Sequence, residues 1–179
     1  MRQQHTELRP WVEDLRQGTW AAVDSETTGL RVHTVDKPFA VGLRDHNGSI
    51  MTWEWPVDIY TREPEVPQQE LNDLASQLMC YDYIVMHNSL FDVAALKQIG
   101  IEMPWGRVHD TMILAHLLDS QEVHGLKPLA LHHFNYDVAD EDALLLHAKF
   151  ATAYAMEHDY PVESNAKANY WLPSALKDK

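Results

Sequence analysis

Hydrophobic and polar positions along this chain alternate first in short runs and later at helical spacing. Thr19-Trp20-Ala21-Ala22-Val23 is short and largely apolar and reads as a buried strand. Phe39-Ala40-Val41-Gly42-Leu43-Arg44 reads as a second strand, and Ser49-Ile50-Met51-Thr52-Trp53 as a third. Between them, Asp45-His46-Asn47-Gly48 is a hairpin turn, since Asn-Gly supplies positive φ angles. These three strands predict an antiparallel meander. Glu54 to Pro67, with Pro56, Pro64 and Pro67, is a loop, and Gln68 to Met79 is a helix burying Leu71, Leu74, Leu78 and Met79. Asp82 to Met86 is a fourth strand, Leu90 to Ile99 a helix stopped by Gly100, and Val108 closes a short fifth strand ahead of a helix over Thr111 to Leu118. Further helices start at Leu126 and run from Asp142 to Met156. Thr6 to Gln17 is a short helix or irregular lead-in, and the tail from Glu163 to Lys179 has weak periodicity. Strands first and helices later predict a mixed α/β sandwich.

Asp24 and Glu26 stand one residue apart at the end of the first strand, where positions i and i+2 share a face. Two like charges this close repel unless a cation or a shared proton lies between them. Carboxylate oxygens suit Mg²⁺ or Mn²⁺, while the plainer role for such a pair is capping a turn. Thr27-Thr28-Gly29 then turns the chain, with Gly29 free to take a positive φ.

A second constellation, His87-Asn88-Ser89-Leu90-Phe91-Asp92, lies where the fourth strand passes into a helix. Asp92 falls on that helix's first turn, where the helix N-terminus favours a carboxylate. Asn88 also suits a turn and Phe91 a core. A third stretch runs from His109-Asp110-Thr111 to Asp119-Ser120, followed by Gly125-Leu126-Lys127-Pro128-Leu129-Ala130. Asp110 before Thr111 is a helix start, and His109 and His116 are ordinary half-buried histidines.

Composition narrows the classes. A chain of 179 residues with 45% apolar content fits one globular domain. No run of about 18 apolar residues is present to span a bilayer, and Met1 to His5 lack the apolar core of a signal peptide. Cys80 is the single cysteine, which excludes an internal disulfide framework and fits a reducing cytosol. A net charge of −13 leaves no large basic face for gripping duplex. A few nucleotides can still bind where metal ions supply positive charge, with a neighbouring domain holding the rest.

Taken together, the stretches resemble the DEDD 3′–5′ exonucleases, and more closely the proofreading domains of phage and bacterial family A DNA polymerases. Asp24-Ser25-Glu26-Thr27-Thr28-Gly29 resembles the family's first motif and Asn88-Ser89-Leu90-Phe91-Asp92 its second. The segment from His109 to Ala130 is similar to what lies between the second and third motifs. The resemblance runs from about Trp20 to about Leu131. It implies an RNase H-like fold, with an antiparallel meander followed by parallel strands and flanking helices. It also implies a site for two Mg²⁺ or Mn²⁺ ions that hydrolyses the 3′-terminal phosphodiester of single-stranded DNA. By that resemblance Asp24 bridges both ions, Glu26 binds one and Asp92 helps to hold the other. Thr28, Leu30, Asn88 and Phe91 contact the terminal nucleotides. The implied partners are DNA 3′ ends and a polymerase domain or subunit, in the cytoplasm of a bacterium or phage-infected host.

The resemblance fails at the third motif, where the family has a final Asp preceded by Tyr or His on a late helix. Tyr154 has His158 four residues on, with Asp159 one residue too late, while Tyr136/Asp140 and His132/Asp137 come too early. The motif is expected beyond about Tyr170, close to or past Lys179. The single domain of residues 1–179 therefore ends before its fourth carboxylate or uses a substitute, for which Asp159 is the candidate. Two other functions follow from weaker signals. One is an exonuclease-fold binding module without turnover. The other is a metal phosphohydrolase built on His87, His109 and Asp110.

Overall fold

The computed structural model describes residues 18–136 and 140–177, with side chains for all of these except residues 140–144. The predicted lead-in over Thr6 to Gln17 lies outside them. Five strands form one sheet: β1 (Trp20–Thr27), β2 (Pro38–Asp45), β3 (Ile50–Glu54), β4 (Tyr83–Met86) and β5 (Val108–Asp110), in the order β3-β2-β1-β4-β5. β1 is central. It pairs antiparallel with β2 and parallel with β4; β2–β3 is antiparallel and β4–β5 parallel. The meander and the mixed sheet are as the sequence pattern implies.

The helices are α1 (Gln68–Met79), α2 (Ser89–Gln98), α3 (Thr111–Leu118), α4 (Leu126–Phe134), α5 (Asp140–Glu157) and the short α6 (Leu172–Ala175). Among the described residues, no helix is long and apolar enough to cross a membrane.

Period-two alternation in β1 decides what each face of the sheet does. Ala21, Val23 and Ser25 are buried on one face, while Asp24 and Glu26 are exposed on the other. The buried face continues through Val41, Leu43, Trp53, Ile84 and Met86 and packs against Leu74 and Leu78 of α1 and Val93 and Leu96 of α2. A second apolar cluster joins Phe39, Val57 and Ile59 to Ala155 of α5 and to Trp171 and Leu172. It fixes the C-terminal segment beside the end of β1 that carries the acidic pair.

Several local readings change, among them Met79, which is exposed at the end of α1 rather than buried. β1 runs on to Thr27, so Asp24 and Glu26 lie within the strand rather than at its end, held by pairing to Gly42 and Ala40. Gly29 does not adopt a positive φ; Gly48 and Gly100 do, each at +87°. Glycine is required at position 29 by crowding, since a Cβ there would stand 2.7 Å from the Asp36 carboxyl group. The tail is ordered into a 3₁₀ turn (Ala166–Asn169) and α6. Two consecutive buried residues, Trp171 and Leu172, anchor it, and such a pair leaves no periodic trace in sequence.

Candidate functional site

Parallel pairing of β4 with β1 brings the start of α2 to the C-terminal end of β1. Asn88 makes the turn in the left-handed region (φ 63°) and stands at the N-cap of α2, a conformation that asparagine tolerates better than most residues. One turn on, Asp92 is buried and accepts hydrogen bonds from the Ser25 amide (3.0 Å) and hydroxyl (2.6 Å). This pair of bonds spans 67 residues of sequence and ties α2 to β1 between the two acidic positions. Ser25 is thus a positioning residue that sequence reasoning missed. Nothing in the sequence pairs it with Asp92.

The start of α2 is held a second way. Asp110 accepts from the amides of Asn88 (3.1 Å) and Ser89 (2.7 Å) and from the Ser89 hydroxyl (2.8 Å). It also caps α3 through the amides of Met112 and Ile113, the helix-start role its position implies. These bonds hold its carboxyl below the usual carboxylate range, against the opposing effect of burial. His87 hydrogen-bonds the Thr111 hydroxyl at 2.9 Å. With its carboxylate committed to two helix starts, Asp110 is not free to act as the metal ligand that a His-Asp phosphohydrolase needs.

Asp24, Glu26 and Asp92 all have carboxyl groups raised above their ordinary values. Burial is the main cause in each case. Asp24 and Glu26 reach solvent, yet they sit in a concavity where surrounding protein atoms displace much of their hydration. Asp92 is pushed up to about 6; the Ser25 hydroxyl bond opposes the rise and the Asp24 charge adds to it. Glu26 is raised further by the charges of Asp24 and Asp92, and Asp24 is pulled partly back by the Ser25 amide and by His87. Glu26 thus feels both other carboxyls and Asp92 feels Asp24, although their oxygens do not all fall within 4.8 Å of each other. Carboxylates raised by burial and, at Glu26 and Asp92, by acidic neighbours are oxygen donors of the kind a hard divalent cation takes.

The acidic face is open around β1. Across the strands, Asp24 lies level with Gly42 and Thr52, and Glu26 with Ala40 and Glu54. A cleft runs over these residues, and a Cβ at Gly42 would meet nothing within 4 Å. Glu54 on the same face is engaged by the C-terminal segment, through the Ser174 hydroxyl at 3.1 Å and the Lys177 ammonium at 3.5 Å.

Beside Glu26 a larger cleft of about 750 Å³ is lined by Thr28, Leu30 and Phe91 on one side and by Arg62, Lys167 and Trp171 on the other. Leu30 is 86% exposed and Phe91 half-buried. Thr28 is buried, and its hydroxyl accepts from the Lys37 amide at 3.2 Å. The Arg62 guanidinium lies over the Trp171 ring at 5.2 Å and pairs with Glu163 at 3.6 Å. Cations and aromatic faces beside carboxylates form a surface on which a short single strand can lie. The far wall comes from the loop after β3 and from the C-terminal tail, and no motif marked it. Asn88 is exposed outside this lining, and so is Asp159, which sits in the left-handed turn (φ 56°) after α5.

Comparisons with known proteins bear on the family and the fold. A family model described as 3′-5′ exonuclease, of the DNA polymerase A type, matches residues 1–145. The chain is 32% identical over 142 residues to a DNA polymerase of Mycobacterium phage L5, covering 74% of this chain and 22% of that polymerase. It is 31% identical over 101 residues to a DNA polymerase of Mycobacterium phage D29, covering 55% of this chain and 15% of the relative. The chain thus spans about a fifth of the length of these curated relatives. Among solved structures, the POL domain of Pol1 from M. smegmatis, in complex with DNA primer-template and dNTP, superposes with a TM-score of 0.51. The match is 17% identical and covers 98% of this chain and 26% of that one; it bears on the fold.

Proposed function

We propose that this chain, which belongs to the 3′-5′ exonuclease family of A-type DNA polymerases, removes nucleotides from the 3′ end of single-stranded DNA with two bound Mg²⁺ or Mn²⁺ ions. The observation that carries this reading is the convergence of Asp24, Glu26 and Asp92 from β1 and α2, each carboxyl raised by burial and two of them also by their acidic neighbours. The charge of Asp24 acts on both Glu26 and Asp92, so Asp24 would suit a ligand shared by both ions, with Glu26 and Asp92 holding one each. When bound, such ions activate water and stabilise the leaving 3′ oxygen. The chain's own contribution is to place the three carboxylates, with Ser25 holding Asp92 and partly offsetting the rise at Asp24 and Asp92, and to seat the strand. Leu30 and Phe91 offer apolar contact to terminal bases, Thr28 shapes the cleft beneath them, and Asn88 lies at the turn above Asp92. Frayed or mismatched ends are favoured because unstacking them costs less.

The polymerase relatives support a DNA substrate, a polymerase domain or subunit as partner, and action in the cytoplasm of a bacterium or phage-infected host. A second reading, an exonuclease-fold module without turnover, is favoured by one observation. Asp159, the candidate fourth carboxylate, is exposed at the end of α5 and outside the cleft lining.

The test is degradation of a 3′-accessible single-stranded DNA oligonucleotide with Mg²⁺, Mn²⁺ or EDTA. Asp24→Ala and Asp159→Asn are run alongside. Metal-dependent shortening from the 3′ end that disappears in Asp24→Ala is the expected result. Its loss in Asp159→Asn as well assigns that residue the fourth position. A folded chain that shortens nothing under any of these conditions leaves the binding-module reading standing.

A further inference from the structure

We propose that Glu122, His132 and His133 form a second metal site, for a transition-metal ion of the zinc class, on the surface formed by α4 and the loop before it. Each of the three offers a ligand atom, and these atoms lie within 4.8 Å of one another. Glu122 Oε1 is 3.8 Å from His132 Nε2. The His132 and His133 rings meet edge to face, with centroids 4.8 Å apart and planes at 86°. Neighbouring residues on a helix point about 100° apart, so two adjacent histidines converge on one point only when both side chains turn toward it. Here they do so in the last turn of α4, just before Asn135 ends the helix in the left-handed region.

The donor set decides the class of ion. Two imidazoles and one carboxylate suit Zn²⁺ and its borderline neighbours, whereas Mg²⁺ prefers oxygen ligands and retains its water. Three protein ligands leave a fourth tetrahedral position to water. Metal–ligand bonds of about 2.0–2.2 Å require the donors to draw somewhat closer than they stand. All three side chains are exposed, so the adjustment meets no packed neighbour.

This site is distinct from the carboxylates of β1, and it has a structural consequence for them. Helix α4 has no buried residue, so packing alone holds it weakly. An ion bridging Glu122 to His132 and His133 would fasten the loop to the far end of the helix. The first residue of that helix, Leu126, lines the cleft that also contains Asp24 and His87. The ion thus steadies one wall of the cleft beside Asp24. A nearby pair, His116 and His124, has ring centroids 4.7 Å apart, but His124 Nε2 is occupied by the Asp119 carbonyl at 2.7 Å. That pair serves as the internal control.

The experiment titrates Zn²⁺ into the tag-free full chain carrying Asp24→Ala, which weakens any competing binding at the sheet. Affinity is read by competition with a chromogenic chelator, and folding by circular dichroism. One Zn²⁺ per chain is expected, at micromolar affinity or tighter, with Mg²⁺ in excess failing to displace it. His132→Ala and Glu122→Gln should each weaken binding about tenfold or more, and His116→Ala should leave it unchanged. Absence of binding in the folded chain overturns the proposal. So does binding that ignores His132→Ala or that falls with His116→Ala.

Discussion

The two faces of β1 come from one strand and the same alternation, yet they answer to different demands. On one face Ala21 and Val23 vanish into the core against α1 and α2. On the other, Asp24 and Glu26 stand over an open sheet where even Gly42 has nothing above it. The closed face supplies rigidity, and the open face uses that rigidity to hold like charges near one another. A carboxylate cluster of this kind costs free energy in the absence of a cation. It persists because β1 is hydrogen-bonded on both sides and cannot move away to relieve the repulsion.

The sharpest way to break the comparison is to damage the closed face alone. Leu96→Ala removes a fully buried side chain of α2 and should cost about 2–5 kcal/mol, measured by urea unfolding. Catalysis per folded molecule should be retained if Asp92 keeps its place. Next comes the residue that belongs to both faces. Asp92 has a folded-state pKa raised from 3.8 to about 6, so the folded chain binds more protons than the unfolded chain between those values. Without metal, its contribution makes stability fall as pH rises from about 4 to about 6, by roughly 3 kcal/mol in total for such a shift. Asp92→Asn should flatten that part of the stability–pH profile in EDTA while impairing exonuclease activity.

A smaller effect is expected at the junction of the two faces. Gly29→Ala drives a methyl group against the Asp36 carboxylate, which receives the Arg31 amide at 2.7 Å. A loss of about 1–3 kcal/mol is expected, with the turn toward Leu30 displaced. The mildest change touches only the open side. Leu30→Ala should alter stability by less than about 0.5 kcal/mol and raise the KM for single-stranded DNA, read by steady-state degradation.

The same contrast separates what the sequence revealed from what it hid. The strands were legible because burial on one face stamps a period of two on β1 and β2, and α1 and α3 fell at their predicted bounds because their ends carry recognisable signals. The spacing of Asp24 and Glu26 displayed their shared face directly. Hidden were the interactions that close across long stretches of chain. The Ser25–Asp92 bonds depend on parallel pairing of β1 with β4, and the far wall of the cleft depends on Trp171 docking beside Phe39. Gly29 was legible as special, but the cause was a neighbour in space rather than a backbone angle.

Asp110 and Asp92 respond to acid in opposite senses. Asp110, gathered into the starts of α2 and α3, has its carboxyl held low, so its stabilising bonds survive until the pH falls beneath the usual carboxylate range. The carboxyls above β1 take up protons earlier, and Asp92 loses an energetic penalty when it does. Without metal, mild acidification therefore protonates Asp92 while leaving the bonds of Asp110 intact. On the proposed reading, exonuclease activity lost in mild acid should return on neutralisation without any refolding, as activity and circular dichroism followed together would show.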